Sequence, residues 1–341
     1  MRINIIAFTE CGEELAKRIS NLKICFENES VDFNVVLKDK EIVKESFDRR
    51  EPLVFIGACG IAIRLIAPFV KDKLTDIPVL VIDEKGMNVI PVLSGHYGGA
   101  NELAGIIADA IGATAVITTA TDINDKFAID VFAKKNDLLI TDKSAIAGIS
   151  SKVLNGEKIT FFIEKNKLGD KIRQCLLKEK DASNIFEFTD DGNVDIDVCI
   201  TSQNINQNTG KMVLIPKRYV LGIGCKKGKS FEEIEEFVLG VLKEKDIDIN
   251  LVSKAASIDV KKDEEGLILF ANKYKIKFVT FTKEELENVN GNFSASEFVK
   301  DTVGVDNVCE RAAVKASEEM GELTVKKIAK DGITLAVCEI K

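Results

Sequence analysis

The chain is assembled from short apolar runs, each of which empties into a glycine-bearing turn and then a helical pattern. That alternation constrains its fold more than any other feature. "PLVFIG" (52–57) leads into "ACGIAIRLIAPFV" (58–70), where Ile61, Ala62, Leu65, Ile66 and Phe69 fall at helical spacing. A run of this length is too short for a helix, and its unbroken apolar character suits a strand covered on both faces. Pro68 has no N–H to give the carbonyl of Arg64, so the helix kinks there or stops early. "INIIAF" followed by "TECGEELAKRI" repeats the theme, with Thr9 as helix cap and Leu15, Ala16 and Ile19 on the buried face. "PVLVID", "EKGMN" and "VIPVL" read as two strands joined by a tight turn. A helix then carries Leu103, Ile106, Ile107, Ala110 and Ile111 on one face, and Gly112 stops it. "TAVITTATD" supplies a further strand with a threonine-rich end.

The pattern loosens from residue 133. N-G, D-G and T-G turns and many lysines predict a smaller middle domain of hairpins with one helix. A third unit opens near 217 with the strand "YVLGIGC". "SFEEIEEFVLGVLKEK" follows, and its Ser230 and Glu233 form a capping box. "AASIDV" and "KFVTFT" are strands, each trailed by a helix pattern, and "GITLAVCEI" is a last strand. The expected organisation is multi-domain α/β. Residues 1–132 and 217–341 form α/β sandwiches on largely parallel sheets, with 133–216 between them.

At 341 residues the chain exceeds one ordinary core. Its 45% apolar and 30% charged residues are those of a soluble folded protein. A net charge of −8 argues against a general nucleic-acid binder, so an anionic ligand would need specific cations. The first residues do not read as a secretion signal, and no run approaches the roughly 18 apolar residues of a membrane span. Eight cysteines without a C-x-x-C pair read as free, buried thiols rather than disulfides or a metal cage. The expected location is the cytoplasm.

Three loops in the first unit follow the carboxyl ends of expected strands: "GACG" (57–60), "SGHYGGAN" (94–101) and "TTATD" (118–122). Ligands of open α/β sheets gather at such an edge, where glycines let backbone N–H groups approach closely. His96 is the only histidine, and it lies just before a helix N-terminus whose positive end disfavours imidazolium. A neutral imidazole suits a water-activating base. Gly98 and Gly99 amides are candidate oxyanion donors, and Glu102 is a candidate to orient the ring. Each glycine also has the plain reading of a turn former, and Glu102 that of a solvated helix residue. "GIGCKKGK" (222–229) matches a dinucleotide fingerprint poorly because its third glycine comes one position late. With Lys217, Arg218, Lys226, Lys227 and Lys229 around one strand, it reads better as an anion site or a solvated basic face.

The stretch from "GACGIAIRLIAPFVKDK" through "DEKGMNVIPVLSGHYGGANELAGIIADAIGATAVITTATD" resembles the N-terminal part of the cobalt-precorrin-5A hydrolases of anaerobic cobalamin biosynthesis, the CbiG family. "YVLGIGCKKGKSFEEI", "ASIDVKKDEEGL" and "SASEFVKDTVGVDNVCERAAV" resemble that family's C-terminal domain, a version of which occurs alone in the aerobic route. The resemblance implies hydrolysis of a cobalt-bearing tetrapyrrole. Water opens the ring-A acetate δ-lactone, and the extruded meso carbon leaves as acetaldehyde. It implies no cofactor held by the protein, since the substrate carries the cobalt, and neighbouring corrin-pathway methyltransferases as partners. From the motif and its placement, His96 and Glu102 are expected to be catalytic. Gly57, Cys59, Gly60, Arg64, Ser94, Gly95, Gly98, Gly99, Asn101, Thr118, Thr119, Thr121, Asp122, Gly222, Gly224, Cys225, Lys226 and Lys227 are expected to bind substrate carboxylates. A cleft between the first and third units would hold the macrocycle. The rival readings are a non-catalytic corrinoid carrier and a nucleotide-binding α/β protein.

Overall fold

Alternation of strand and helix is carried through in the computed structural model, which describes all residues except 27–28, 38, 73–74, 192–193, 203–210, 295–306, 319 and 341. The chain divides into two compact units, Met1–Val131 and Phe132–Lys341.

In the first unit a six-stranded sheet has the order β4-β1-β5-β6-β7-β8. Its strands are β1 (Arg2–Ala7), β4 (Asp32–Leu37), β5 (Leu53–Ile56), β6 (Val79–Ile82), β7 (Asn88–Leu93) and β8 (Thr114–Ala115), with β2 (Cys25–Phe26) and β3 (Glu29–Ser30) as a small separate ribbon. The first four in that order are parallel, β7 runs antiparallel to β6, and β8 is parallel to β7. Thr9 caps α1 (Glu10–Ser20) by accepting from Gly12 N, and α2 (Glu41–Arg49) covers the sheet between β4 and β5 in sequence. α3 (Cys59–Ile66) ends two residues before Pro68. α4 (Ala100–Ile111) buries Ala100, Leu103, Ala104, Ile107 and Ala108, and stops at Gly112 in the left-handed region. Complete burial of Leu103 and Ile107 contributes about 1.5–3 kcal/mol each, which fixes this helix and its N-terminus against the sheet. After β8 the chain forms one short turn of helix, α5 (Ala120–Ile123), and then α6 (Ile129–Lys135).

The second unit holds two five-stranded sheets, β11-β10-β12-β13-β9 and β16-β15-β14-β18-β17. The first comprises β9 (Leu138–Ile140), β10 (Ile159–Ile163), β11 (Phe186–Thr189), β12 (Val198–Ile200) and β13 (Met212–Pro216), all parallel except β9. This corrects the expected middle region of hairpins with one helix. α7 (Ala145–Asn155) and α8 (Lys167–Leu176) each precede or follow a strand as crossovers, and α9 (Ala182–Ile185) leads into β11. The N-G pair ends α7, with Gly156 left-handed, and does not reverse a hairpin. The D-G and T-G pairs fall wholly or partly outside the described residues.

The other sheet comprises β14 (Tyr219–Cys225), β15 (Val252–Ile258), β16 (Lys277–Phe281), β17 (Gly321–Lys330) and β18 (Ile333–Ile340). β14, β15 and β16 are parallel, while β18 and β17 are antiparallel additions. α10 (Phe231–Glu244) starts at the Ser230–Glu233 capping box, and α11 (Glu265–Tyr274) and α12 (Lys283–Glu287) follow β15 and β16. The fold class is α/β with largely parallel sheets. Most of "SASEFVKDTVGVDN" lies outside the described residues. All eight cysteines are free; Cys199, Cys309 and Cys338 are buried, whereas Cys11 and Cys25 are exposed against expectation. Among the described residues no helix is long and apolar enough to cross a membrane.

Candidate active site

Strand direction decides which loops meet. β7 opposes β6, with Val79 paired to Leu93 and Ile82 to Val89. The carboxyl end of β7 therefore lies where the parallel strands begin, and Ser94 Oγ donates to the Asp76 carbonyl there at 2.9 Å. β8 is parallel to β7, so "TTATD" emerges at the same edge as "SGHYGGAN". "GACG" leaves the carboxyl end of parallel β5 at the opposite edge, roughly 13 Å away at about 3.3 Å per residue. The expectation of three loops on one edge is thus corrected. The five residues of "EKGMN" are too few for the crossover that parallel pairing needs, so a reversal was already legible in the turn length.

The 94–101 turn folds onto itself. Ser94 (φ 54°) and Gly99 (φ 92°) are left-handed; Ala100 N donates to Ser94 O at 3.1 Å and Asn101 N to Gly95 O at 2.8 Å. A Cβ on Gly95 would stand 2.6 Å from Asn101 Oδ1, and one on Gly98 would stand 2.3 Å from Ser94 Cβ. These two glycines are required by the turn's own packing. Gly99 N–H donates to the His96 carbonyl at 3.2 Å, so it is not an available oxyanion donor; Gly98 N–H has no acceptor among the described residues.

His96 lies between two carboxylates. Its Nδ1 is 3.0 Å from Asp122 Oδ2, and its Nε2 is 3.6 Å from Asp130 Oδ1. Side-chain exposure falls from 34% at Asp122 to 18% at His96 and 9% at Asp130. Nε2 is enclosed by protein and has no hydrogen-bond partner. Asn101, in the first turn of α4, donates through Nδ2 to Thr119 Oγ1 at 2.9 Å and also to Asp122 Oδ2. The helix that buries Leu103 and Ile107 therefore also aligns the second loop's carboxylate. Glu102, expected to orient the ring, is exposed, and Asp122 holds that position. Thr121 is buried and Thr118 exposed. Asp130 was not singled out by the sequence reading. It stands in the first turn of α6, 34 positions from His96, where an acidic residue ordinarily reads as a helix-dipole partner. Behind it, burial pushes the Tyr97 phenol up, the Asp130 carboxylate adds to this, and Arg50 opposes it. Among the described residues no group of three or more His, Cys, Asp or Glu is arranged to hold a metal ion.

The remaining expected residues lie elsewhere. Gly57, Cys59, Gly60 and Arg64 sit at the carboxyl edge of the first sheet. There Phe8, Gly57, Ala58, Ile61 and Lys85 line part of an open cavity of about 530 Å³. In the second unit, Gly222 is buried in mid-strand against the helix Val308–Ala316. Close strand–helix packing by itself requires a glycine at this position. Gly224 faces Thr334 Oγ1, and burial pushes the Cys225 thiol up to about 11. The expected single basic cluster is also corrected, because Lys217 and Arg218 precede β14 or open it while Lys226, Lys227 and Lys229 follow it. Seven residues of extended chain, about 20 Å, separate the groups. Arg218 pairs with Glu339 at 3.0 Å and Lys229 with Glu233 at 2.6 Å, while Lys226 and Lys227 are exposed.

Comparison with known proteins adds the family. Three cobalamin synthesis G models match: the N-terminal model over residues 41–122, the central-region model over 127–216 and the C-terminus model over 219–338. A cobalt-precorrin-5A hydrolase of Salmonella typhimurium is 32% identical over 348 aligned positions, covering 98% of this chain and 97% of its own. One from Priestia megaterium is 32% identical over 85% of this chain and 79% of its own. A probable cobalt-precorrin-5A hydrolase of Methanocaldococcus jannaschii is 28% identical over 99% of this chain and 98% of its own. With all three family models matched in order and a relative aligned from end to end, the chain belongs to the CbiG family of cobalamin-synthesis proteins.

Proposed function

We propose that the chain hydrolyses cobalt-precorrin-5A in the anaerobic route of cobalamin biosynthesis, in the cytoplasm, on a substrate supplied by corrin-pathway methyltransferases. The name shared by full-length relatives supports the substrate class. The observation that carries the chemistry is the His96–Asp122 pair at 3.0 Å, with Asp122 reaching solvent.

Opening the ring-A δ-lactone needs water with its proton removed and a donor for the carbonyl oxygen. The His96–Asp122 pair takes the proton as the water oxygen bonds to the lactone carbonyl carbon. Gly98 N–H, which has no acceptor among the described residues, is the amide we assign to the oxyanion. The acyl–oxygen bond then breaks as the His96–Asp122 pair returns the proton to the leaving oxygen, giving a carboxyl side chain and a hydroxyl on the extruded meso carbon. The pair takes that hydroxyl proton as its oxygen collapses to a carbonyl, which breaks the carbon–carbon bond to the ring. Acetaldehyde departs, the electron pair passes into the macrocycle, the His96–Asp122 pair releases its proton to solvent, and cobalt-precorrin-5B remains. The cobalt enters with the substrate, so the chain needs no cofactor of its own for these steps.

Purified protein incubated with the lactone-bearing cobalt intermediate is expected to release acetaldehyde stoichiometrically. Tight binding without aldehyde would overturn the hydrolytic reading in favour of a carrier.

A further inference from the structure

We infer that Asp122, rather than the imidazole, meets the attacking water, with His96 standing behind Asp122 and the buried Asp130 standing behind His96. This rests on the hydrolytic reading above and gives it a direction. Three observations carry it.

Neither ring nitrogen offers a lone pair to solvent. Nδ1 is engaged by Asp122, and Nε2 is enclosed without a hydrogen-bond partner. The 3.6 Å between Nε2 and Asp130 Oδ1 is shorter than the roughly 4.5 Å that one water spans when it holds two hydrogen bonds of about 2.8 Å at a tetrahedral angle. Exposure is graded in one direction, from the part-open Asp122 through His96 to the closed Asp130. Finally, the two oxygens of Asp122 differ. Oδ2 receives both His96 Nδ1 and Asn101 Nδ2, whereas Oδ1 has no partner among the described residues. Asp122 is thus anchored twice through one oxygen and open through the other.

In the step this implies, a water proton moves to Asp122 Oδ1 while the water oxygen attacks the lactone carbonyl carbon and the carbonyl π pair moves onto its oxygen. The ring's N–H on Oδ2 and the Asp130 carboxylate behind the ring hold the charge of the trio in place. When the tetrahedral centre collapses, the proton held on Asp122 passes to the departing lactone oxygen, so the carboxylate is regenerated. Asp130 acts through the ring and is a positioning residue. Removing its charge frees the imidazole to turn away from Asp122.

Because the chain has one histidine, reagents and spectra that report on histidine read His96 alone. The wild-type imidazole is expected to be ethoxycarbonylated by diethyl pyrocarbonate at least tenfold more slowly than free imidazole, and Asp130→Ala is expected to restore most of that rate. In ¹⁵N spectra of the imidazole, Asp130→Asn is expected to change the Nε2 signal more than Asp122→Asn does. In lactone opening, Asp122→Asn is expected to lose about a thousandfold in kcat with KM within threefold. Asp130→Asn is expected to lose ten- to a hundredfold in kcat at unchanged KM, with partial recovery in Asp130→Glu. Rapid ethoxycarbonylation of the wild-type ring, blocked by substrate, would overturn the inference, as would an active Asp122→Asn beside an inactive His96→Ala. Wild-type protein that releases no acetaldehyde would sink the hydrolytic reading instead. The reagent and the ¹⁵N spectrum still decide the ring's accessibility without substrate.

Discussion

Replacing Gly222 by alanine tests whether "GIGC" is a ligand loop or a packing contact. Gly222 lies in β14, paired to Ala256 of β15 on one side and Ala336 of β18 on the other, so the strand cannot withdraw. A Cβ there would stand 1.8 Å from the Cys309 carbonyl oxygen, 2.7 Å from Cys309 C and 3.0 Å from Ala313 N. All three atoms are helix backbone, so no side chain can rotate aside. The helix Val308–Ala316 must retreat by more than an ångström. It carries Cys309, Ala312, Ala313 and Ala316 at 0–3% exposure, and a gap of about 1 Å forfeits a quarter to a half of each contact's attraction. Overpacking ordinarily costs about 1–3 kcal/mol, and a backbone obstacle places Gly222→Ala at roughly 3 kcal/mol. For a unit of this size that is a fall of about 6–12 °C in melting temperature. Calorimetry of the purified variant measures it directly. A melt within about 2 °C of wild type, together with lost corrinoid binding, would refute the packing argument and restore the ligand role.

Other consequences follow from the same geometry. Gly98→Ala forces the turn off Ser94 and should lower lactone-opening kcat by about a hundredfold with the melting temperature nearly unchanged. Arg64→Ala, at the sheet edge opposite His96, should leave kcat and KM for lactone opening within about twofold, and a large KM rise would place substrate across both edges. Asp197 is 2% exposed; burial opposes its charge, but Lys152, the Thr160 amide and Lys211 outweigh this and hold its carboxyl below the usual range. Its folded value lies below the unfolded one, so its stabilisation is complete above roughly pH 5 and disappears as pH falls through the folded value. The difference in melting temperature between wild type and Asp197→Asn should therefore shrink steadily from pH 5 to pH 2, as thermal scans across that range would record.

Much of the site was legible in the sequence because its signals are local. A lone histidine among glycines before an amphipathic helix marks a strand-to-helix turn, and the threonine-rich "TTATD" marks a polar strand end. Asp122 was among the residues singled out, but in the role of substrate contact. The carboxylate assigned beside the ring, Glu102, shares the ring's own sequence neighbourhood, whereas the one that contacts the ring, Asp122, comes from the next loop. Asp130 carried no local signal. It is an ordinary acidic residue in a first helical turn, and only the chain's return past β8 brings it within 3.6 Å of the ring.

Helix and strand identity, the Thr9 cap, the Ser230–Glu233 capping box and the stop at Gly112 were decided by the sequence alone, since each depends on residues within a turn or two. Tertiary structure alone decided which edge of the sheet each loop occupies, because strand direction depends on pairing between segments far apart in the chain. It also turned the polar, lysine-rich middle stretch into parallel strands with crossover helices. There, burial of Phe161, Val198 and Leu214 against neighbouring elements outweighs turn signals that a hairpin would share.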